Sequence, residues 1–249
     1  MYRPEKNGKD MRFIIATLLI LSSPFAFSQM YIDVAIKGGA GTTWLLNTNV
    51  FADEDYVHKV SGGGNFGGKL GFNFTETFQV VAEGMIGVFN QKYTIKEADG
   101  DWNKRIGMTQ FQLPLLLRFN KNNGSFFEAG ASYTNNSVIT ETNKQGIKED
   151  AGYRFSPDYW SAILSFGGYM MGWDNLGLSL SLRFSYSFAD VLHGGEADQG
   201  TYRDYAANFK ESYVTTTPIS AMFVLELNYD LGYLARSPCS GRRAFIFFN

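Results

Sequence analysis

Leu176-Gly177-Leu178-Ser179-Leu180-Ser181-Leu182-Arg183-Phe184-Ser185-Tyr186-Ser187-Phe188 alternates without exception. Every even position is a bulky apolar residue, and every odd one is glycine, serine or arginine. Successive side chains on an extended strand point to opposite sides, so this segment is a strand with two unlike faces. The second face is small, and Arg183 is its one charge. A strand face in open water ordinarily carries more charge than that. The pattern fits an apolar surrounding on one side and a cramped polar space on the other.

Working outward, the same pattern recurs over Ile32–Ala40, Asn65–Phe74, Phe78–Phe89, Gln110–Phe119, Phe127–Tyr133, Trp160–Gly167 and Ile219–Tyr229. That makes eight strands. Their connections differ in length: Thr75–Thr77, Asn120–Gly124 and Gly172–Asn175 are short, whereas Leu45–Ser61, Thr94–Lys104, Thr134–Asp158 and Ala189–Tyr213 are long. Short turns on one rim and long loops on the other are the layout of outer-membrane barrels, with the long loops outside the cell. The expected fold is all-β: an eight-stranded antiparallel up-and-down transmembrane β-barrel over residues 29–233.

The composition is compatible with this. The chain has 249 residues, 16% aromatics, 27 glycines and 6 prolines, and glycine with aromatics on short strands is a cue for barrels. A net charge of −2 gives no acidic or basic balance that points to nucleic acid. No segment approaches eighteen consecutive apolar residues, which argues against a helical membrane protein. The lone cysteine, Cys239, excludes an intrachain disulfide and a cysteine metal site.

Residues Met11–Ser28 read as a cleaved signal peptide. Arg12 precedes the apolar run Phe13–Leu21, and Ala26 and Ser28 offer small residues for a cut before Gln29. Residues 1–10 form a polar extension, with Met11 the expected start. No cysteine stands at the cut, as a lipoprotein would need. Residues 234–249 form a C-terminal tail of no assigned role.

A soluble lipocalin-like barrel would place its apolar set inside. Residue size favours the reverse, because an eight-stranded barrel has an interior just wide enough to be filled by side chains. The polar faces carry Asp33, Glu83, Glu128 and Glu226 against Lys37, Lys69, Arg118 and Arg183, four acids against four bases. Ions taken out of water must be paired, and a balanced set permits it. These eight are the expected structural charges of a filled lumen. Phe74, Phe78, Phe119, Phe126, Phe127, Trp173, Tyr229 and Tyr233 cluster by the short turns or the last strand's end, as an aromatic girdle would.

Gln110-Phe111-Gln112-Leu113-Pro114-Leu115-Leu116-Leu117-Arg118-Phe119 resembles a strand of PorT-like outer-membrane β-barrel proteins. Gly67-Gly68-Lys69-Leu70-Gly71-Phe72 and the signal ending Phe27-Ser28-Gln29 are similar to that family too. The resemblance implies an outer-membrane location in a Gram-negative cell. It implies no activity, and the secretion role of one member is not carried over. Barrels of this kind often end on the last strand's aromatic, and here a tail follows instead.

Nothing points to catalysis or a cofactor. His58 and His193 fall in expected loops. Ser187, Asp190 and His193 lie close in sequence, but Ser187 is expected to face inward on a strand. Asp53-Glu54-Asp55 and His193–Asp198 match no metal-binding spacing, and Gly62-Gly63-Gly64 is no phosphate loop. The expected protein is non-enzymatic, without cofactor or metal, structural or binding through its long loops. Its partners would be outer-membrane lipid, the assembly machinery during biogenesis, and a ligand or protein at the loops where exposed tyrosines gather. The alternatives are a small porin-like channel, an accessory protein of secretion, a soluble lipocalin-like binder and an outer-membrane enzyme.

Overall fold

The computed structural model describes residues 31–173, 175–192 and 214–233. The elements in chain order are β1 (Tyr31–Leu46), α1 (Thr48–Ala52), β2 (Tyr56–Lys59), β3 (Gly62–Asn73), β4 (Phe78–Ile95), β5 (Trp102–Asn120), β6 (Ser125–Thr142), β7 (Lys148–Asp150), β8 (Asp158–Trp173), β9 (Leu176–Ser187) and β10 (Thr217–Tyr233). Strands β1, β3, β4, β5, β6, β8, β9 and β10 pair antiparallel in that order. β10 returns to β1, from Tyr31↔Tyr233 to Leu46↔Thr217, and closes the ring. Closure leaves the eight wall strands without an open edge. The signal peptide, His193, Tyr202, Tyr205, Tyr213 and the C-terminal tail lie outside the described residues.

The two remaining strands extend this wall. β2 pairs with the far end of β4 (Tyr56↔Ile95 to Lys59↔Lys92), in line with β3 and separated from it by Val60 and Ser61. β7 pairs with the far end of β6. The β4–β5 ladder is interrupted opposite Pro114, which has no N–H to give: paired residues run to Ala82↔Leu115 and resume at Met85↔Gln112. Register shifts at Ile32/Asp33, Thr109/Gln110 and Tyr169/Met171 bend the wall further.

Two expected long loops prove to be partly strand. β4 runs on to Ile95 and β5 starts at Trp102, so only residues 96–101 connect them, and β6 continues to Thr142. The β4–β5–β6 side of the barrel therefore rises well past the end of β9. Inside this rise sits an apolar core of Leu45, Phe89, Tyr93, Ile95, Ile106, Met108 and Ile139. Val50 of α1, Phe155 and Val191 pack into it from the connecting segments. A bridge between Phe155 and Leu192 ties two of those segments together.

Candidate functional site

The same strands change character along their length. On β4 the outward residues from the short-turn end are Phe78, Val80, Ala82, Gly84, Ile86 and Val88, and then Asn90, Lys92 and Thr94. On β5 they are Phe119, Leu117, Leu115, Leu113 and Phe111, then Thr109, Gly107, Arg105 and Asn103. The inward residues change the other way. Near the short turns Gln79, Glu83 and Arg118 are buried among Val81, Met85 and Leu116, and beyond the switch the set becomes mainly apolar, with Phe89, Tyr93, Ile106 and Met108 beside Gln91 and Lys104. Below the switch the barrel is apolar outside and carries its buried charges inside; above it, it is built like a soluble domain. Phe78 to Val88 on a strand tilted by about 45° rises about 24 Å, close to the roughly 25 Å apolar band of outer-membrane barrels. Ile86 and Leu115 are 65% and 60% exposed on this band, which water would penalise and lipid would not. The ring is a transmembrane barrel.

All eight lumen charges point inward, and none is more than 4% exposed. Glu226 gathers Lys37 Nζ at 3.0 Å, Lys69 Nζ at 2.8 Å and Arg118 Nη1 at 3.0 Å. Glu83 accepts from Lys37 Nζ at 2.6 Å and from Arg183 Nη1 and Nη2 at 2.7 and 2.9 Å. Glu128 accepts from Arg118 Nη2 at 2.6 Å and from Arg183 Nη2 at 3.0 Å. Lys69 also meets Asp33 at 2.9 Å, and Asn73 and Gln79 donate to the same carboxylate. The eight thus form one connected network, with charge-assisted bonds offsetting the cost of burying each ion. Three links run between strands diametrically opposite in the ring: Arg118 to Glu226, Arg183 to Glu83, and Lys37 to Glu128 at 3.6 Å. They span the full width of the lumen. Phe126 departs from the expected girdle: it faces inward, with the Arg118 guanidinium 4.3 Å from its ring centre. Phe74, Phe119, Trp173 and Tyr229 are exposed, as a girdle requires; the Tyr233 side chain lies outside the described set.

Above the charges lies a layer of amides. Asn65 donates to Gln112, Gln112 to Gln110, and Gln110 to Asn136 and to the Tyr159 hydroxyl at 2.9 Å. This layer and Arg183 line a cavity of about 30 Å³, room for one or two waters. The apolar core closes the barrel above that. At the mouth, Lys104 and Arg154 both pair with Glu141. They form part of a groove of about 280 Å³ with Trp102, Tyr153 and Lys144. Lys144 bonds Glu97 at 2.5 Å and Asp99 at 3.0 Å, which joins two loops.

No protein-family model matches the chain, and no curated protein does. Among solved structures it is similar to the outer membrane protein OprG from Pseudomonas aeruginosa, at 14% identity and a TM-score of 0.42, over 82% of this chain and 96% of that one. It is similar also to Ail, the attachment invasion locus protein of Yersinia pestis, at 10% identity and a TM-score of 0.38, over 79% of this chain and 98% of that one. A third is Neisserial surface protein A, at 8% identity and a TM-score of 0.39, over 79% and 96%. Likeness at this level says nothing of what this chain binds.

The candidate chemical groups have structural partners. Ser187 Oγ donates to the Trp160 and Ala189 carbonyls, and Asp190 accepts from the Leu192 and Thr216 amides. Asp53 accepts from the Asp55 amide in a local turn. Among the described residues no three His, Cys, Asp or Glu side chains are grouped to hold a metal ion. His58 is stacked on Phe51 at 3.9 Å and meets Tyr93 edge-on. Burial there holds its pKa below the ordinary value. The sequence reading missed the apolar upper core. The signal for it was present: Phe89, Tyr93 and Ile95 continue the alternation of β4 with its polarity exchanged.

Proposed function

We propose that the chain is an integral outer-membrane β-barrel, non-enzymatic and non-conducting, that acts through the storey it raises above the lipid. The observation that carries this is the exchange of polarity on β4 and β5, from apolar outside to apolar inside, at the height of Val88 and Phe111. Three ion-paired links across the lumen and, among the described residues, an apolar core above them oppose a continuous water path. That argues for a scaffold or a binding protein and against a porin. The mouth groove with Trp102, Tyr153 and Arg154 is where a ligand or protein would meet it, since aromatic and arginine side chains that reach the surface of a rigid frame suit binding. Export by the Met11–Ser28 signal and insertion by the assembly machinery complete this reading. Membership of the PorT-like family is part of the proposal too, supported by the Gln110–Phe119 strand and the Gly67–Phe72 motif.

Two experiments test it. In cell fractions the protein is expected with the outer membrane, and recovery in the soluble periplasm would overturn the location. In planar bilayers the full chain is expected to give no steady ohmic current. A stable conductance of any size would overturn the closed lumen.

A further inference from the structure

Just above the apolar band, cations stand side by side on the outer face of the wall. Lys59 of β2 pairs directly with Lys92 of β4, and Lys92 pairs with Arg105 of β5. The row continues through β6 and β7, where Ile106 pairs with Glu141 and Thr142 with Lys148. Lys59, Lys92, Arg105 and Lys148 are all exposed, and among the described residues none forms an ion pair. The outward row above, Val57, Thr94 and Asn103, carries no charge. The row below carries Asn90, Gly107 and Thr140, with one carboxylate at its edge, Asp150, which accepts from the Gly152 amide at 3.1 Å.

Like charges directly opposite on neighbouring strands repel, with Cβ atoms about 4.5–5.5 Å apart. A sheet that holds three in succession is poised for an anion. Height says which anion. Lys92 lies four residues beyond Val88, about 10 Å further from the band at a barrel strand's tilt. Long basic side chains lean back toward the interface from such a position. Arg105 does so here: its Nε and Nη2 donate to Asn90 Oδ1 at 3.3 and 2.8 Å, which draws the guanidinium down to the next row toward the lipid. Polar headgroups occupy about 5–8 Å on each side of the hydrocarbon core. The cations therefore hang over the headgroup layer at the long-loop end.

We propose that Lys59, Lys92, Arg105 and Lys148 form a binding strip for phosphate-bearing lipid headgroups of the outer leaflet. The strip rests on the membrane reading above. It would fix lipids to the β2–β4–β5–β7 side of the barrel.

The test uses the full chain purified in neutral detergent and inserted into phosphatidylcholine nanodiscs. Its probes are diphosphorylated lipid A, the same lipid dephosphorylated, and inorganic phosphate. The phosphorylated lipid is expected to bind at least tenfold more tightly than the dephosphorylated one. Each cation removed should weaken it about fivefold, and Lys59→Gln, Lys92→Gln, Arg105→Gln and Lys148→Gln together by about a hundredfold or more. Lys121→Gln, on the opposite rim, should change nothing. Should the combined variant fail to fold, Lys92→Gln alone carries the fivefold expectation. Equal binding by wild type and variants would overturn the strip, and inorganic phosphate binding as tightly as the lipid would overturn a lipid source. Failure of the wild type to insert into phosphatidylcholine would overturn the membrane reading, and the strip with it.

Discussion

Replacing Glu226 by glutamine removes an acid that three lumen cations share. Lys37, Lys69 and Arg118 all lie within about 3 Å of it. At an effective dielectric of about 20 each contact is worth roughly 5 kcal/mol gross, but glutamine also escapes the desolvation that the carboxylate bears. Breaking a buried pair by deleting one partner costs about 3–5 kcal/mol net. Here the cost should fall near 3 kcal/mol, because each cation keeps a second acid: Lys37 has Glu83 at 2.6 Å, Lys69 has Asp33 at 2.9 Å, and Arg118 has Glu128 at 2.6 Å. Adding Lys37→Met restores the balance and leaves three one-to-one pairs, Lys69–Asp33, Arg118–Glu128 and Arg183–Glu83. The double variant should thus be more stable than the sum of the singles by about 2 kcal/mol, within the range of coupled neighbours. Urea unfolding of the barrel in lipid vesicles, followed by tryptophan fluorescence, measures all three. Additivity within about 0.5 kcal/mol, or a single-variant loss below about 1 kcal/mol, would mean that these charges are solvated and act independently.

Leu180 faces outward at mid-strand in β9, so Leu180→Arg should cost about 2–4 kcal/mol in lipid and abolish the folded band on unheated gels; normal assembly would reverse the assignment of faces. A Cβ on Gly67 would stand 2.0 Å from the Gly84 carbonyl, whereas one on Gly84 would meet nothing within 4 Å. Gly67→Ala should therefore destabilise by at least about 1–3 kcal/mol and Gly84→Ala by less than about 1 kcal/mol, as read by the same urea curves. His58 titrates below its ordinary 6.5 because burial disfavours its charged form, so the opened state binds more protons. The docking of α1 should hold fully above that pH and weaken as pH falls through it. Protection factors over Thr48–Ala52, which take out the slowing of intrinsic exchange, should then fall as pH goes from 7 to 5, and His58→Phe should remove the effect.

Much of this was legible because lipid and a narrow lumen each leave a mark with period two. Leu176–Phe188 gave a strand, its faces and their orientation, and the balance of acids and bases anticipated a lumen able to pair them. Which acid meets which base could not be read. Arg118 and Glu226 are brought together by the closure and stagger of the ring, and no local pattern encodes that. The upper halves of β4, β5 and β6 escaped for a different reason. A strand that leaves the lipid keeps its alternation and exchanges the polarity of its faces, so following the outward apolar set stops at Val88 and Phe111 and takes the medium's edge for the strand's end. Phe126 was misplaced because an aromatic beside a turn fits a girdle and a cation–π partner equally well.

The exchange of polarity also anchors the molecule vertically. Sliding the barrel by one outward row, about 5 Å of depth, would push a ring of apolar side chains into water at one end and drag Asn90, Thr109 and their neighbours into hydrocarbon at the other. At about 1.5–3 kcal/mol per large apolar side chain, even a few such residues oppose the shift by several kcal/mol. The barrel is therefore pinned in depth, as a float is held at its waterline. Its upper storey meets anything outside the cell at a constant distance from the membrane, whatever pulls on its loops.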